Sequence, residues 1–126
     1  MLVMLVMESM RVADAAGIRL EAFDEYDPAD YRAAARGDGA ARERAMSVIA
    51  RHYRAHTKTK TGIWRDLAVR RRPTEVGALL GATVARARTF ELAMPLTERL
   101  IAMIADLETG QRVMTWENVD GLVSLT

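Results

Sequence analysis

The sequence predicts an all-α fold: a compact bundle of about six or seven helices forming one domain over residues 1–126. Three observations carry this expectation. No segment alternates strictly between apolar and polar residues, so no strand is expected. Apolar residues recur at helical spacing, most plainly at Leu96, Leu100, Ile104 and Leu107. Helix punctuation also recurs, with Asp27-Pro28 and Pro95 as starts and Gly17 and Gly110 as stops.

Taken in order, Met1 to Ala16 reads as a helix whose first residues, "MLVMLVM", are apolar on every side. Such a helix is buried all round or packs on something outside this chain. Gly17 suits the position after its end, and "IRLEAFDEY" follows as a connector. Asp27 is a candidate N-cap with Pro28 at the first helical position, opening a short helix to about Arg36. "GDG" at 37–39 breaks it. A helix from Ala40 to about His56 carries Ala45, Val48, Ile49 and Tyr53 on one stripe. After the polar "TKTKTG", a short helix spans about Ile63 to Arg70 and ends before Pro73, because the residue before a proline avoids the helical region. Thr74 can cap a long helix through about Phe90, Pro95 starts another that ends at Gly110, and Thr115 can cap a last one, "WENVDGL". Within the 74–90 helix, Gly77, Gly81 and Ala85 recur every four residues, which suggests close approach of another helix.

Composition narrows the class. Half of the residues are hydrophobic, which excludes a disordered chain, and aromatics are only 6%, so aliphatics, Ala and eight Met must fill the core. The absence of Cys excludes disulfides and thiolate metal sites and fits a reducing compartment. "MLVMLVM" has no basic flank and is stopped by Glu8, so it is neither a signal peptide nor a membrane span. The expected location is the cytoplasm, with no membrane partner.

Net charge is +1 but unevenly placed. Residues 8–30 hold seven acids and two bases, residues 51–72 eight bases and only Asp66 as an acid, and residues 91–120 six acids and two bases. The basic run either attracts an anionic ligand or pairs with the acidic segments of the same chain, and solvated charge runs are the commoner case. The bases are not interleaved with several aromatics, the isoelectric point is about 8.2, and no binding motif is present, so nucleic acid is not an expected partner.

Few motifs carry chemistry. GxGxxG, GxxxxGK[ST] and HExxH are all absent. His52 and His56, four apart, have the spacing of two metal ligands but no obvious third, so ordinary surface histidines are the simpler reading. Glu75 stands in the first turn of its helix. A carboxylate there complements the helix dipole by roughly 0.3–1 kcal/mol. The functional alternative is a carboxylate that accepts a hydrogen bond from a substrate hydroxyl or shuttles a proton. Asp66, alone among eight bases, is most simply an ion-pair partner, and Trp64 an anchor for the basic stretch.

Thr61 to Val84, "TGIWRDLAVRRRPTEVGALLGATV", resembles the signature of the C-terminal domain of the ketopantoate reductases (2-dehydropantoate 2-reductases). That signature is a serine or threonine a few residues before an aspartate, then an arginine, T-E-[IV]-D and a helix carrying a glycine. Asp66, Arg72, Thr74, Glu75, Val76 and Gly81 fit it. "MESMRVADAAGIRL" upstream and "AMPLTERLIAMIADLETGQR" and "MTWENVDGL" downstream are similar to further parts of the family, so the resemblance covers nearly the whole chain in order. It implies an all-α domain that closes the substrate site beside an NADP(H)-binding Rossmann domain. The reaction it implies is reduction of 2-dehydropantoate to pantoate. By resemblance, Glu75 takes part in the acid/base chemistry, and the substrate-binding positions fall at Thr61, Gly62 and Asp66. Three departures mark a divergent branch. Gly62 stands where alignment on Asp66 places the family's hydroxyl residue, Gly77 replaces an aspartate, and the Asp66–Glu75 spacing is one residue longer than the commonest form.

The sequence shows no counterpart of the Rossmann domain or of the helix bearing the family's catalytic lysine. Hydride transfer needs a cofactor and polarisation of the carbonyl. The chain alone is therefore expected to bind no cofactor and to leave 2-keto acids unreduced. Its apolar first helix is expected to be covered by a homodimer partner or by a separate Rossmann-domain subunit. Binding of a small 2-keto or 2-hydroxy acid separates this reading from a purely structural or interaction module forming a homodimer.

Overall fold

The computed structural model describes residues 1–55, 57 and 60–124. Among them the chain is all-α: α1 (Leu2–Ala15), α2 (Pro28–Ala35), α3 (Gly39–Arg54), α4 (Gly62–Arg65), α5 (Val76–Arg88), α6 (Pro95–Glu108) and α7 (Glu117–Val123). A π turn over Asp66–Arg70 continues α4. No described helix is long and apolar enough to cross a membrane. The chain falls into two compact units, Leu2–Thr59 and, with Met1, Lys60–Thr126.

In the first unit, α1 presents Val3, Val6, Met7 and Met10 along one stripe, the i, i+3, i+4, i+7 spacing of a helix face. They pack with Tyr31 and Ala34 of α2 and with Ala45, Met46 and Ile49 of α3. Leu2 and Met4 lie off the stripe and are exposed, so α1 is not buried all round. The stripe expected on α3 holds at Ala45, Val48 and Ile49 and fails at Tyr53. Ala41 and Ala45 are buried, whereas Tyr53 is exposed in the last turn, its ring edge-on to His52. His52 meets the Tyr26 ring edge-on as well. His56 lies outside the described residues, and no metal-ligating cluster occurs among those described.

The caps in this unit follow local chemistry. Asp27 Oδ1 accepts from Ala29 N–H at 2.8 Å, with Pro28 at the first helical position. Asp38, in the segment expected only to break a helix, caps α3 by accepting from Ala41 N–H at 3.0 Å. Gly17, at φ +69°, terminates α1. The connector contains a tight turn in which Phe23 and Tyr26 exchange hydrogen bonds of 2.9 and 2.8 Å across Asp24 and Glu25, both at positive φ. Forked contacts from Arg32 to Asp14 at 2.7 and 2.6 Å link α2 to α1, and Arg44 holds Asp30.

In the second unit, α5 packs on α6 and α6 on α7. Val76 and Val84 of α5, Leu96 and Met103 of α6, and Leu122 of α7 are buried. Met94, just before Pro95, is 1% exposed and is the largest fully buried side chain. Two expected caps are displaced. The residue before α5 is Glu75 rather than Thr74, although the Thr74 hydroxyl accepts from Val76 N–H at 3.3 Å. Trp116, not Thr115, precedes α7, and Thr115 instead bonds the Glu117 carboxylate and holds it below the usual range. The glycine stripe also departs from expectation. A Cβ built on Gly77 or Gly81 meets no heavy atom within 4 Å, and Ala85 is exposed.

Candidate functional site

The segment from Thr61 to Glu75 is built by a helix that starts, widens and stops within a few residues. Thr61 is the N-cap of α4, its Oγ1 accepting from Trp64 N–H at 3.1 Å. Gly62 takes the first helical position, with no atom within 4 Å of the place a Cβ would occupy. Trp64 is half-buried and carries the Lys60 ammonium 4.8 Å over its ring. The Arg65 Nε–H is buried without an acceptor among the described residues, a donor that a ligand oxygen would satisfy.

From Asp66 the bonding changes. Asp66 C=O accepts from Arg71 N–H and from Arg72 N–H, the latter at 3.1 Å. An i→i+5 turn holds one residue more than an α turn. The π turn thus takes up one residue more between Asp66 and Glu75 than an α turn would. Arg71 closes the turn in the left-handed region at φ 49°, ψ 52°, a place that favours glycine. Asp66 itself is an ion-pair partner, its side chain only 16% exposed. One oxygen, Oδ1, receives Arg70 Nη1 at 2.8 Å and Arg72 Nε at 2.9 Å. The hydrogen bonds from Arg70 and then Arg72 hold its carboxyl below the usual range.

Beyond Pro73 the chain is clamped from a distance. Glu108 Oε1, at the end of α6, accepts from both Thr74 N–H and Thr74 Oγ1–H at 2.7 Å. Charge-assisted bonds of this length are among the stronger ones. Glu75, the next residue, has an exposed side chain that makes no capping bond. The structure therefore joins Thr61, Gly62 and Asp66 on one short helix and holds Glu75 at the start of α5 through its neighbour. Leu67, Arg71 and Arg72 meet Leu107, Glu108 and Gly110 around a groove of about 390 Å³. Of these residues, sequence reasoning missed Glu108 and Arg71. The glutamate that ends α6 was visible, but its partner 34 residues away was not.

The family model for the ketopantoate reductase PanE/ApbA C terminal matches residues 1–108. The chain belongs to this family. No curated protein and no solved structure gives a significant match. In this ketopantoate reductase C-terminal domain, Thr74-Glu75-Val76, the segment that resembles the family's T-E-[IV], is clamped by Glu108 and opens α5.

Proposed function

We propose that this domain supplies the substrate-side half of a 2-keto acid reductase site, with Glu75 as the carboxylate that contacts the substrate and takes part in its acid/base chemistry. The observation that carries this reading is the Thr74–Glu108 clamp, which fixes the backbone around Glu75 while leaving its side chain unengaged in capping. A group held in this way can meet a ligand without first reorganising. Thr61, Gly62 and Asp66 are the substrate-binding positions of this reading. Asp66 acts there through the arginines it orients, since Arg70 and Arg72 already occupy its Oδ1.

The described residues form helices without the strand–turn–helix cradle that holds a dinucleotide's phosphates, so they offer NADP(H) no site of its usual kind. When bound, that cofactor supplies the hydride; in this reading it is held by other residues, on this polypeptide or a separate subunit. These residues alone thus bind the acid without reducing it. Calorimetric titration with pantoate should give saturable binding, and Glu75→Gln should weaken it by about tenfold, the ~1.4 kcal/mol of one charge-assisted bond. Equal affinities for the two proteins would refute the role of Glu75. NADPH consumption with 2-dehydropantoate by the purified chain, above that of Glu75→Gln, would refute the division of labour.

One observation favours a second reading, a structural module that forms a homodimer through its first helix. Leu2 and Met4 of α1 are exposed at 38% and 41%.

A further inference from the structure

We infer that the groove between the π turn and the end of α6 binds the carboxylate of a small, singly charged organic acid, with Arg71 and Arg72 as its cationic side and Leu67 and Leu107 as its apolar side. The identification of that acid as the 2-keto or 2-hydroxy acid substrate rests on the function proposed above. The groove itself stands on its own geometry.

Of the three consecutive arginines, Asp66 pairs with the outer two, Arg70 and Arg72. Arg71, between them, has no ion-pair partner among the described residues and lines the groove. Its backbone is left-handed at φ 49°, where a glycine would end the helix without strain. Strain of this kind is retained where a side chain is needed at that place. Arg72 has only its Nε committed to Asp66.

The polar groups of the opposite wall, at the end of α6, are engaged within the chain. Glu108 directs Oε1 to the two Thr74 donors. The last carbonyls of α6 are also occupied, Ala105 by Thr109 N–H at 3.1 Å, Asp106 by Arg112 N–H at 3.1 Å and Leu107 by Gly110 N–H at 3.3 Å. Arg70, Arg71 and Arg72 against Asp66 and Glu108 leave a net single positive charge, which suits a monoanion better than a dianion. About 390 Å³ with leucine on both sides accommodates a short branched carbon chain.

The test is a titration of the ¹⁵N-labelled chain with pantoate, isovalerate and inorganic phosphate, followed by two-dimensional NMR. The expected result is that both acids shift the Leu67, Arg71, Leu107 and Gly110 amides, with phosphate binding more weakly. Arg71→Gly should raise the melting temperature by relieving the backbone and weaken both acids at least tenfold. Arg51→Gln, in the other unit, should change neither affinity. A more stable Arg71→Gly protein that binds both acids unchanged would overturn the inference, as would phosphate binding tighter than isovalerate. Glu75→Gln separates the two proposals. Loss of acid binding in Arg71→Gly but not in Glu75→Gln keeps the groove and removes the catalytic reading. Loss in Glu75→Gln alone does the reverse. No shift with either acid removes both.

Discussion

Asp66 links the charge pattern to stability. Its carboxyl is held below the usual range by Arg70 and Arg72, and that of Asp14 by Arg32. A carboxyl depressed in the folded state contributes stability that is present above its unfolded value, about 3.9, and is lost as pH falls through the folded value. The melting temperature should therefore drop steeply from about pH 4 downward. Asp66→Asn should melt lower than wild type at pH 7 yet lose less on acidification, as read by thermal scans across pH. A parallel pair of curves would show that Asp66 carries none of the acid dependence. The basic run is thereby partly explained without a ligand. Arg51 pairs with Glu25, and Arg70 and Arg72 pair with Asp66 inside the run itself. Arg71 is, with Arg54, Lys60 and Arg65, among the described bases of the run that this bland account leaves over, and of these it lines the groove.

At the scale of elements, α5 gives the plainest prediction. Gly81 sits in the helix interior, and an added methyl meets nothing within 4 Å. Glycine there costs backbone entropy with no packing return. Gly81→Ala should raise unfolding free energy by about 0.5–1 kcal/mol in urea titrations, and a loss would restore the expected close helix contact. Helix order and most starts and stops were legible because apolar spacing, Asp27-Pro28, Gly17 and Pro95 act locally. Thr74 and Thr115, whose helices start one residue later than expected, are the ones whose hydroxyls also bond other partners, Thr74 while still accepting from Val76 N–H. Thr74 donates to Glu108, a contact between segments 34 residues apart that no local pattern encodes. An arginine in the left-handed region is equally hidden, since residue identity signals that conformation only for glycine and, weakly, asparagine.

For the whole molecule, family membership was legible because Asp66, Arg72, Thr74, Glu75, Val76 and Gly81 follow one another in the residue types and order of the family's motif. The shape of the candidate site was not, because the groove joins the π turn to the distant end of α6. Association is the property left to the surface of α1. In the second reading, light scattering gives twice the 14.0 kDa of the chain, and Leu2→Glu combined with Met4→Glu returns it to 14.0 kDa. A wild-type monomer at high concentration would refute that reading. A stable dimer buries on the order of 1,200 Å² or more, so two such charges at its centre should be decisive.

The widened turn at Asp66–Arg70 also bears on how relatives of this chain are aligned. A residue added inside a helix acts as a change of phase, rotating everything after it by roughly 100° unless the turn opens to absorb it. Here the turn opens, so Thr74 still reaches Glu108. A relative in which the same spacing is one residue shorter is expected to place its gap within 66–71 rather than at Pro73. Placed at Pro73, it would match the wrong arginines and hide the one that stands out of register.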